Sequence, residues 1–268
     1  MTNLTGLQAL LVRAIQPDDS KEDIFVRQLR SEGASIHHFP VMETVAIDQS
    51  SDIGSIGNYL HNYASYKKAI FVSKSSVYFL LDWLKNNLEK YPKGLPLGPR
   101  YYAIGKTTAD ALKNININAE HPKQDFSSEG LLTLPSLLVG DHQKVIIFSG
   151  VGGRQLLSSE LKSRGFLVDD CELYDRKCLK DFSTEINRLI SKDVLDVVVI
   201  HSAELLENLL SQTAPTNLFT LKLLTLLVPS ERIRLLAESL GFKQIICSPS
   251  ASTEQMVSMI RECYSNQL

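Results

Sequence analysis

The segment FSGVGGRQLL, residues 148–157, places three glycines and an arginine directly after an apolar run. Such a turn presents backbone N–H groups at a helix N-terminus, an arrangement that holds phosphates and carboxylates. The dinucleotide motif G-x-G-x-x-G would need a glycine where the chain has Gln155, and no lysine follows at phosphate-loop spacing. The segment therefore indicates a general anion-binding turn, to which Arg154 could add a bidentate contact with a carboxylate.

Hydroxyl and glycine residues also follow nearly all of the remaining strand-like runs. For each turn taken alone, helix capping is the better interpretation, because Ser and Thr are favoured N-caps. Their recurrence at nearly every turn is also what a binding site built mainly of backbone N–H groups would show. The candidates are Ser73, Ser75, Gly105, Lys106, Thr107, Thr108, Ser128, Gly130, Ser149, Gly150, Ser202 and Ser230.

Tyr174 is a candidate of another kind. It lies near the end of the polar segment VDDCELYDRK, from which a phenol could reach into a cleft. On the sequence alone, a half-exposed packing tyrosine is at least as good an interpretation. The four cysteines and six histidines lack metal-ligand spacing, so we predict no metal and expect reduced, mostly buried thiols in a cytosolic protein.

The elements that must position these residues alternate along the chain. Four strand-like runs each precede a helix-like stretch: KKAIFVS, QKVIIFSG, LDVVVIHS and LKLLTLLVPS. This order predicts parallel βα architecture with helices on both faces of the sheets.

The pattern also repeats, which indicates a duplication into two similar α/β domains with a ligand cleft between them. Three strand–turn–helix units occur twice in the same order, pairing 29–36 with 161–168, 69–73 with 197–202, and 101–112 with 225–236.

Composition limits the function classes. The 268 residues suit two modest domains, and a net charge of −2 argues against a nucleic-acid partner. No run approaches the roughly 20 apolar residues of a membrane span, and the N-terminus does not resemble a signal peptide.

Eight segments in this order resemble the uroporphyrinogen-III synthase family over essentially the whole chain. The most specific is the G-x-G-G-R turn followed by L-x-x-R-G and Y-x-R. The eight are LLVRA, FPVMET, AIFVSKSSV, YAIGKTTADAL, SSEGLL, VIIFSGVGGRQLLSSELKSRGFLVDDCELYDR, VVVIHS and VPSERIRLLAESLGF.

The resemblance implies two α/β domains joined by a two-stranded β-ladder, with the active site in the cleft. One domain would comprise 1–38 plus 177–268 and the other 41–172, with linker strands near 38–44 and 171–178. The implied reaction closes hydroxymethylbilane to uroporphyrinogen III, with loss of water and inversion of ring D through a spiro intermediate. The family needs neither cofactor nor metal.

The resemblance also implies roles for single residues. Tyr174 matches the proposed proton donor, whereas Arg13, Arg154 and the turn residues named above would bind substrate. The chain departs from the family at Val72, Ser75, His201 and the VPSER turn, and the last departure weakens the assignment of Ser230. We expect a cytoplasmic monomer that touches the preceding enzyme of the pathway at most transiently, with no nucleic-acid or membrane partner.

Two other functions stay open on the residues alone. A non-enzymatic module could close two lobes on an anionic metabolite, and a nucleotide-dependent enzyme would use the glycine-rich turns. The incomplete glycine motifs argue against the second.

Overall fold

The computed structural model describes residues 4–15, 23–47, 56–92, 94–96, 98–153, 155–179 and 182–265. Strands and helices alternate, as the sequence predicts. The strands are β1 (Gln8–Ile15), β2 (Ser35–Ala46), β3 (Lys68–Phe71), β4 (Arg100–Ala103), β5 (Ala119–Glu120), β6 (Lys144–Gly150), β7 (Leu167–Cys178), β8 (Val197–Ile200), β9 (Thr225–Val228) and β10 (Gln244–Cys247). The helices are α1 (Ile24–Ser31), α2 (residues 56–61), α3 (Lys74–Asn86), α4 (Lys106–Lys113), α5 (Ser128–Leu131), α6 (Gln155–Ser163), α7 (Ser183–Ser191), α8 (Ala203–Gln212), α9 (Leu218–Leu223), α10 (Glu231–Ser239) and α11 (Thr253–Ser265).

The chain forms two compact units. We call Thr44–Arg176 the continuous unit, and Met1–Glu43 with Lys177–Leu268 the discontinuous unit. Both divisions fall inside long strands, β2 and β7, which the sequence predicts as linkers. The domain boundaries given above stay a prediction.

The strands of the two units follow the same order. The discontinuous unit runs β10-β9-β8-β1-β2 and the continuous unit β5-β4-β3-β6-β7. Neighbouring strands run parallel, for example β1 beside β8 and β3 beside β6. The predicted parallel α/β fold is confirmed, and the matching orders are those expected of a duplication.

Strand composition explains why the sheets are covered on both faces. All four residues of β3 and of β8 are buried, as is typical of parallel strands between two helix layers. Ala69 and Phe71 pack into one core of the continuous unit, whereas Ile70 packs into a second core. With both faces filled, the ends of the strands are where a ligand can reach the backbone.

Two expectations about local structure are wrong. The run LKLLTLLVPS is not one strand, because α9 continues to Leu223 and β9 begins at Thr225. Nor are the thiols mostly buried: Cys171 is buried and burial raises its pKa, but Cys178 is exposed and Cys247 and Cys263 are half-buried. Cys178 is the last residue of β7 and follows the exposed Arg176 and Lys177. In the part of the chain described, no helix combines the length and apolar character needed to span a bilayer.

Candidate functional site

Three neighbouring strands of the continuous unit bring the candidate residues to one edge. Strand β3 lies between β4 and β6, with Phe71 in register with Ala103 and Phe148. Ser73 and Gly105 lie in the turns that follow β3 and β4, and Gly150 is the last residue of β6. Because the strands are parallel, their carboxyl ends meet at the same edge, the usual position of a ligand site in such sheets.

A β-bulge aims Tyr174 at this edge. Ser149 pairs with Glu172 but the next residue, Gly150, pairs with Tyr174, so Leu173 is an extra residue in β7. Without the bulge, Leu173 and Tyr174 would point to opposite faces. Instead both are buried in the same core, at 3% and 1% exposure. Bulges often re-aim a side chain beside an active site.

The ring of Tyr174 is held by close neighbours. It stacks on Phe79, with centroids 5.3 Å apart and planes 23° apart, and the guanidinium of Arg176 lies 5.7 Å from its centroid. A Cβ added at Gly150 would lie 2.5 Å from ring carbon Cε2, so only glycine leaves room for the ring. The half-exposed tyrosine that the sequence allowed is not observed. Phe79 was missed, because its place on a helix gives no signal beyond an apolar face.

The phenol meets a second candidate, Ser73. Tyr174 Oη lies 2.9 Å from Ser73 Oγ, although the residues are 101 positions apart. Ser73 is also the N-cap of α3, where its Oγ accepts a hydrogen bond from the Ser76 N–H at 3.0 Å. Ser73 therefore caps α3, as the sequence predicts, and its hydroxyl also contacts Tyr174. Its role in substrate binding stays a prediction.

The other candidates of the continuous unit divide by exposure. Lys106 and Thr107 open α4 and are exposed, whereas Ser75 is half-buried. Thr108, Ser128 and Ser149 are buried, as are Gly105 and Gly130. Gly130 packs against Asp125, whose carbonyl oxygen would lie 1.9 Å from an added Cβ. Arg154 lies outside the described residues.

Three candidates lie in the discontinuous unit. The Arg13 guanidinium forms an ion pair with Asp23, the N-cap of α1. Ser202 caps α8 and accepts a hydrogen bond from the Leu205 N–H at 3.3 Å. Ser230 is the N-cap residue of α10, with no side-chain capping bond.

The discontinuous unit repeats the bulge without the phenol. Arg13 pairs with Pro40 and the next residue, Ala14, pairs with Met42. Met42 therefore occupies the position of Tyr174, and Ala14 that of Gly150. The same register shift therefore occurs in both units, but of the two residues at this position only Tyr174 carries a hydroxyl group.

His201 precedes the Ser202 cap and is shielded from water at one ring nitrogen. Nδ1 is buried and has no hydrogen-bond partner among the residues described, while the ring packs edge-on against Phe25. Burial, with smaller contributions from Arg13 and His38, lowers the pKa of His201 to about 3. The folded protein thus binds this proton more weakly than the unfolded chain.

That difference predicts a pH-dependent stability. The contribution is complete above the unfolded pKa of about 6.5 and declines as the pH falls towards the folded value, by at most about 1.4 kcal/mol per pH unit. We expect His201→Thr to lose this dependence between about pH 6.5 and pH 5, measured as the free energy of unfolding in urea. His37→Gln is the control, since the His37 ring is hydrogen-bonded to Gln8 and the lowering of its pKa is weaker. If the free energy of unfolding of His201→Thr depended on pH as steeply as that of the wild type, the assignment of this dependence to His201 would be wrong.

Across the described ranges, no cluster of three or more His, Cys, Asp or Glu side chains is arranged to hold a metal ion. What the edge of the continuous unit offers is a buried phenol hydrogen-bonded to a serine, beside helix N-termini. Such a group can donate a proton in a sheltered environment, and the helix N-termini can hold anions.

The chain is similar to known proteins over most of its length. The family model described as uroporphyrinogen-III synthase HemD matches residues 23–258. The chain is 31% identical over 243 residues to the uroporphyrinogen-III synthase of Salmonella typhimurium, covering 89% of this chain and 95% of that protein. It is 29% identical over 249 residues to the Escherichia coli enzyme, covering 92% and 98%.

Solved structures agree in fold. A mutant uroporphyrinogen III synthase from Thermus thermophilus aligns with a TM-score of 0.65 at 17% identity, covering 96% of this chain and 97% of that one. The uroporphyrinogen-III synthetase of Helicobacter pylori aligns with a TM-score of 0.62 at 15% identity, covering 96% and 99%.

Proposed function

Because this chain belongs to the uroporphyrinogen-III synthase family, we propose that it closes the linear tetrapyrrole hydroxymethylbilane to uroporphyrinogen III. The reaction removes water and inverts ring D. Unassisted closure gives the uninverted type I isomer, so the main task of the enzyme is geometric: it must hold ring D so that its substituted carbon attacks. Loss of water is redox-neutral, and we propose that the enzyme needs no cofactor.

The observation that supports the chemistry best is the buried Tyr174 phenol at the carboxyl edge of the continuous unit. Departure of hydroxide from the substrate leaves an electrophilic azafulvene, and a weak acid at the departing oxygen lowers that barrier. Tyr174 is fixed by the bulge, by Phe79 and by Ser73. We therefore assign it as the proton donor.

Binding would be distributed over backbone groups. The substrate carries acetate and propionate carboxylates on its rings, and helix N-termini hold such groups without a strongly basic protein. Gly105, the N-cap of α4, has no side chain that could occupy the first N–H groups, and the exposed Lys106 and Thr107 stand beside it. The remaining proposed binding residues are Arg13, Ser75, Thr108, Ser128, Gly130, Ser149, Gly150, Arg154, Ser202 and Ser230.

The cellular location and the oligomeric state are also part of the proposal. We propose a cytoplasmic monomer whose contact with the preceding pathway enzyme, if it forms, is transient.

The direct test supplies purified protein with hydroxymethylbilane, without added cofactor, and separates the products by isomer. We expect type III in excess over type I. Heat-denatured protein is the control and should give type I only. A ligand-binding module would bind the substrate yet leave type I as the product, which would refute the synthase assignment.

A further inference from the structure

We propose that Ser73 is a positioning residue for Tyr174: its hydroxyl donates a hydrogen bond to Tyr174 Oη as that oxygen gives up its proton. This deepens the proposed function and rests on it. Resemblance alone would make Ser73 a ligand for substrate carboxylates. The 2.9 Å distance between the two hydroxyl oxygens indicates a role that acts through the phenol instead.

The hydrogen-bond inventory of Ser73 allows it to be the donor in this contact. A serine hydroxyl offers one donor and two acceptor positions. Ser73 Oγ already accepts from the Ser76 N–H at 3.0 Å, and an amide cannot reverse its role. Within the described ranges Tyr174 Oη is the other partner of Ser73 Oγ. Either direction leaves one of the two hydroxyl protons without a partner among the described residues. Only donation by Ser73 leaves the phenol proton free for the substrate, so we propose that direction for the reacting state.

The backbone around Ser73 fixes its hydroxyl in place. Ser76 Oγ donates to the Ser73 carbonyl at 2.7 Å, and the Ser73 N–H donates back to Ser76 Oγ at 3.3 Å. This reciprocal cap stands at the N-terminus of the 13-residue helix α3, where the partial charge is positive. A donor fixed before charge develops costs no reorganisation during the reaction.

The proposed step moves one proton from Tyr174 to the substrate. The Tyr174 O–H bond breaks as its proton moves to the departing hydroxyl of the substrate. The C–O bond breaks with its electron pair on that oxygen, and water leaves. Oη then carries negative charge, to which Ser73 donates. The proton that ring D releases when the macrocycle closes restores the phenol, so that one water is the net loss.

The discontinuous unit lacks this arrangement. Ser202 caps α8 much as Ser73 caps α3, but Met42 stands at the position of Tyr174. A thioether carries no proton to give, so a capping serine there has no phenol to assist.

The first test compares Ser73→Gly with Ser73→Thr. Glycine is tolerated at N-caps, so Ser73→Gly keeps the start of α3 but removes the hydroxyl. We expect kcat to fall about 10- to 100-fold with KM unchanged, the effect of losing a hydrogen bond to a charged group. Ser73→Thr retains the hydroxyl and should restore most of kcat. The matched control is Ser136→Ala, which removes a serine bonded to another buried phenol, Tyr102, and should leave kcat unchanged. A raised KM with unchanged kcat would overturn the proposal in favour of direct substrate binding.

The second test places Ser73→Gly in a Tyr174→Phe background. If Ser73 acts through Oη, the second substitution costs nothing further, and the two effects are not additive. An additional 10- to 100-fold loss in that background would overturn the positioning role while leaving Tyr174 as the donor. Full activity of Tyr174→Phe alone, or type I product from the wild type, would instead show that the proposed function has failed.

Discussion

Tyr174→Phe should turn over hydroxymethylbilane about 100- to 10,000-fold more slowly than the wild type, the usual value of a positioned general acid. The substitution removes only the hydroxyl, so the stacking on Phe79 and the burial of the ring persist. We therefore expect near-normal thermal stability. The measurement is kcat by isomer-resolved product analysis, with a melting curve of the same preparation.

The matched control is Tyr102→Phe. Tyr102 is also fully buried in the continuous unit, and its hydroxyl donates to Ser136 Oγ at 3.0 Å. Its loss removes a tyrosine–serine hydrogen bond of the same kind in the other core of the continuous unit, so kcat should not change. Near-normal kcat in Tyr174→Phe would exclude the phenol as the proton donor, and an equal loss in both variants would indicate a general packing defect.

Gly150→Ala should produce the second largest loss. Its added methyl group would lie 2.5 Å from Cε2 and 2.8 Å from Cζ of Tyr174, both closer than carbon atoms pack, and 3.0 Å from Cδ2, which is unusually tight. The ring cannot yield freely, because it also stacks on Phe79. A displacement of about 1 Å at a reacting group can cost about 100-fold in rate, and overpacking typically costs about 1–3 kcal/mol of stability.

Gly57→Ala serves as the control for glycine replacement, since the nearest atom to its added Cβ, on Trp83, is 4.0 Å away. It should leave kcat unchanged. If Gly150→Ala kept full kcat, the tight fit around the Tyr174 ring would have no catalytic consequence.

The fold could be predicted largely because its signals are local. Runs such as AIFV and VVVI have the composition of buried parallel strands, and the repeated segments predicted two similar α/β domains. The two units share one strand order, as similar domains would. The boundary between α9 and β9 was harder, because leucine continues across Leu223 and Leu224 and suits both elements.

The candidate site was less accessible to sequence reasoning, because its decisive contacts are long-range. Ser73 was predicted as an N-cap, and the Ser73–Ser76 spacing is compatible with the reciprocal cap observed. Nothing local pairs Ser73 with Tyr174. One feature of the sequence indicates the bulge: Leu173 and Tyr174 are adjacent bulky residues in an otherwise alternating strand. Only the register shift explains why both side chains are buried.

The division of the chain into one continuous and one discontinuous unit has a consequence for biosynthesis. Residues 44–176 leave the ribosome as one run, and this unit can finish folding while the rest is still being made. Strand β1 must wait, because one of its two neighbours is β8, and the Gln8 N–H donates to Asp196 Oδ2 across 188 positions. Until β8 emerges, the apolar β1 presents an open edge to other nascent chains, so premature aggregation is the hazard that this topology imposes on the newly made enzyme.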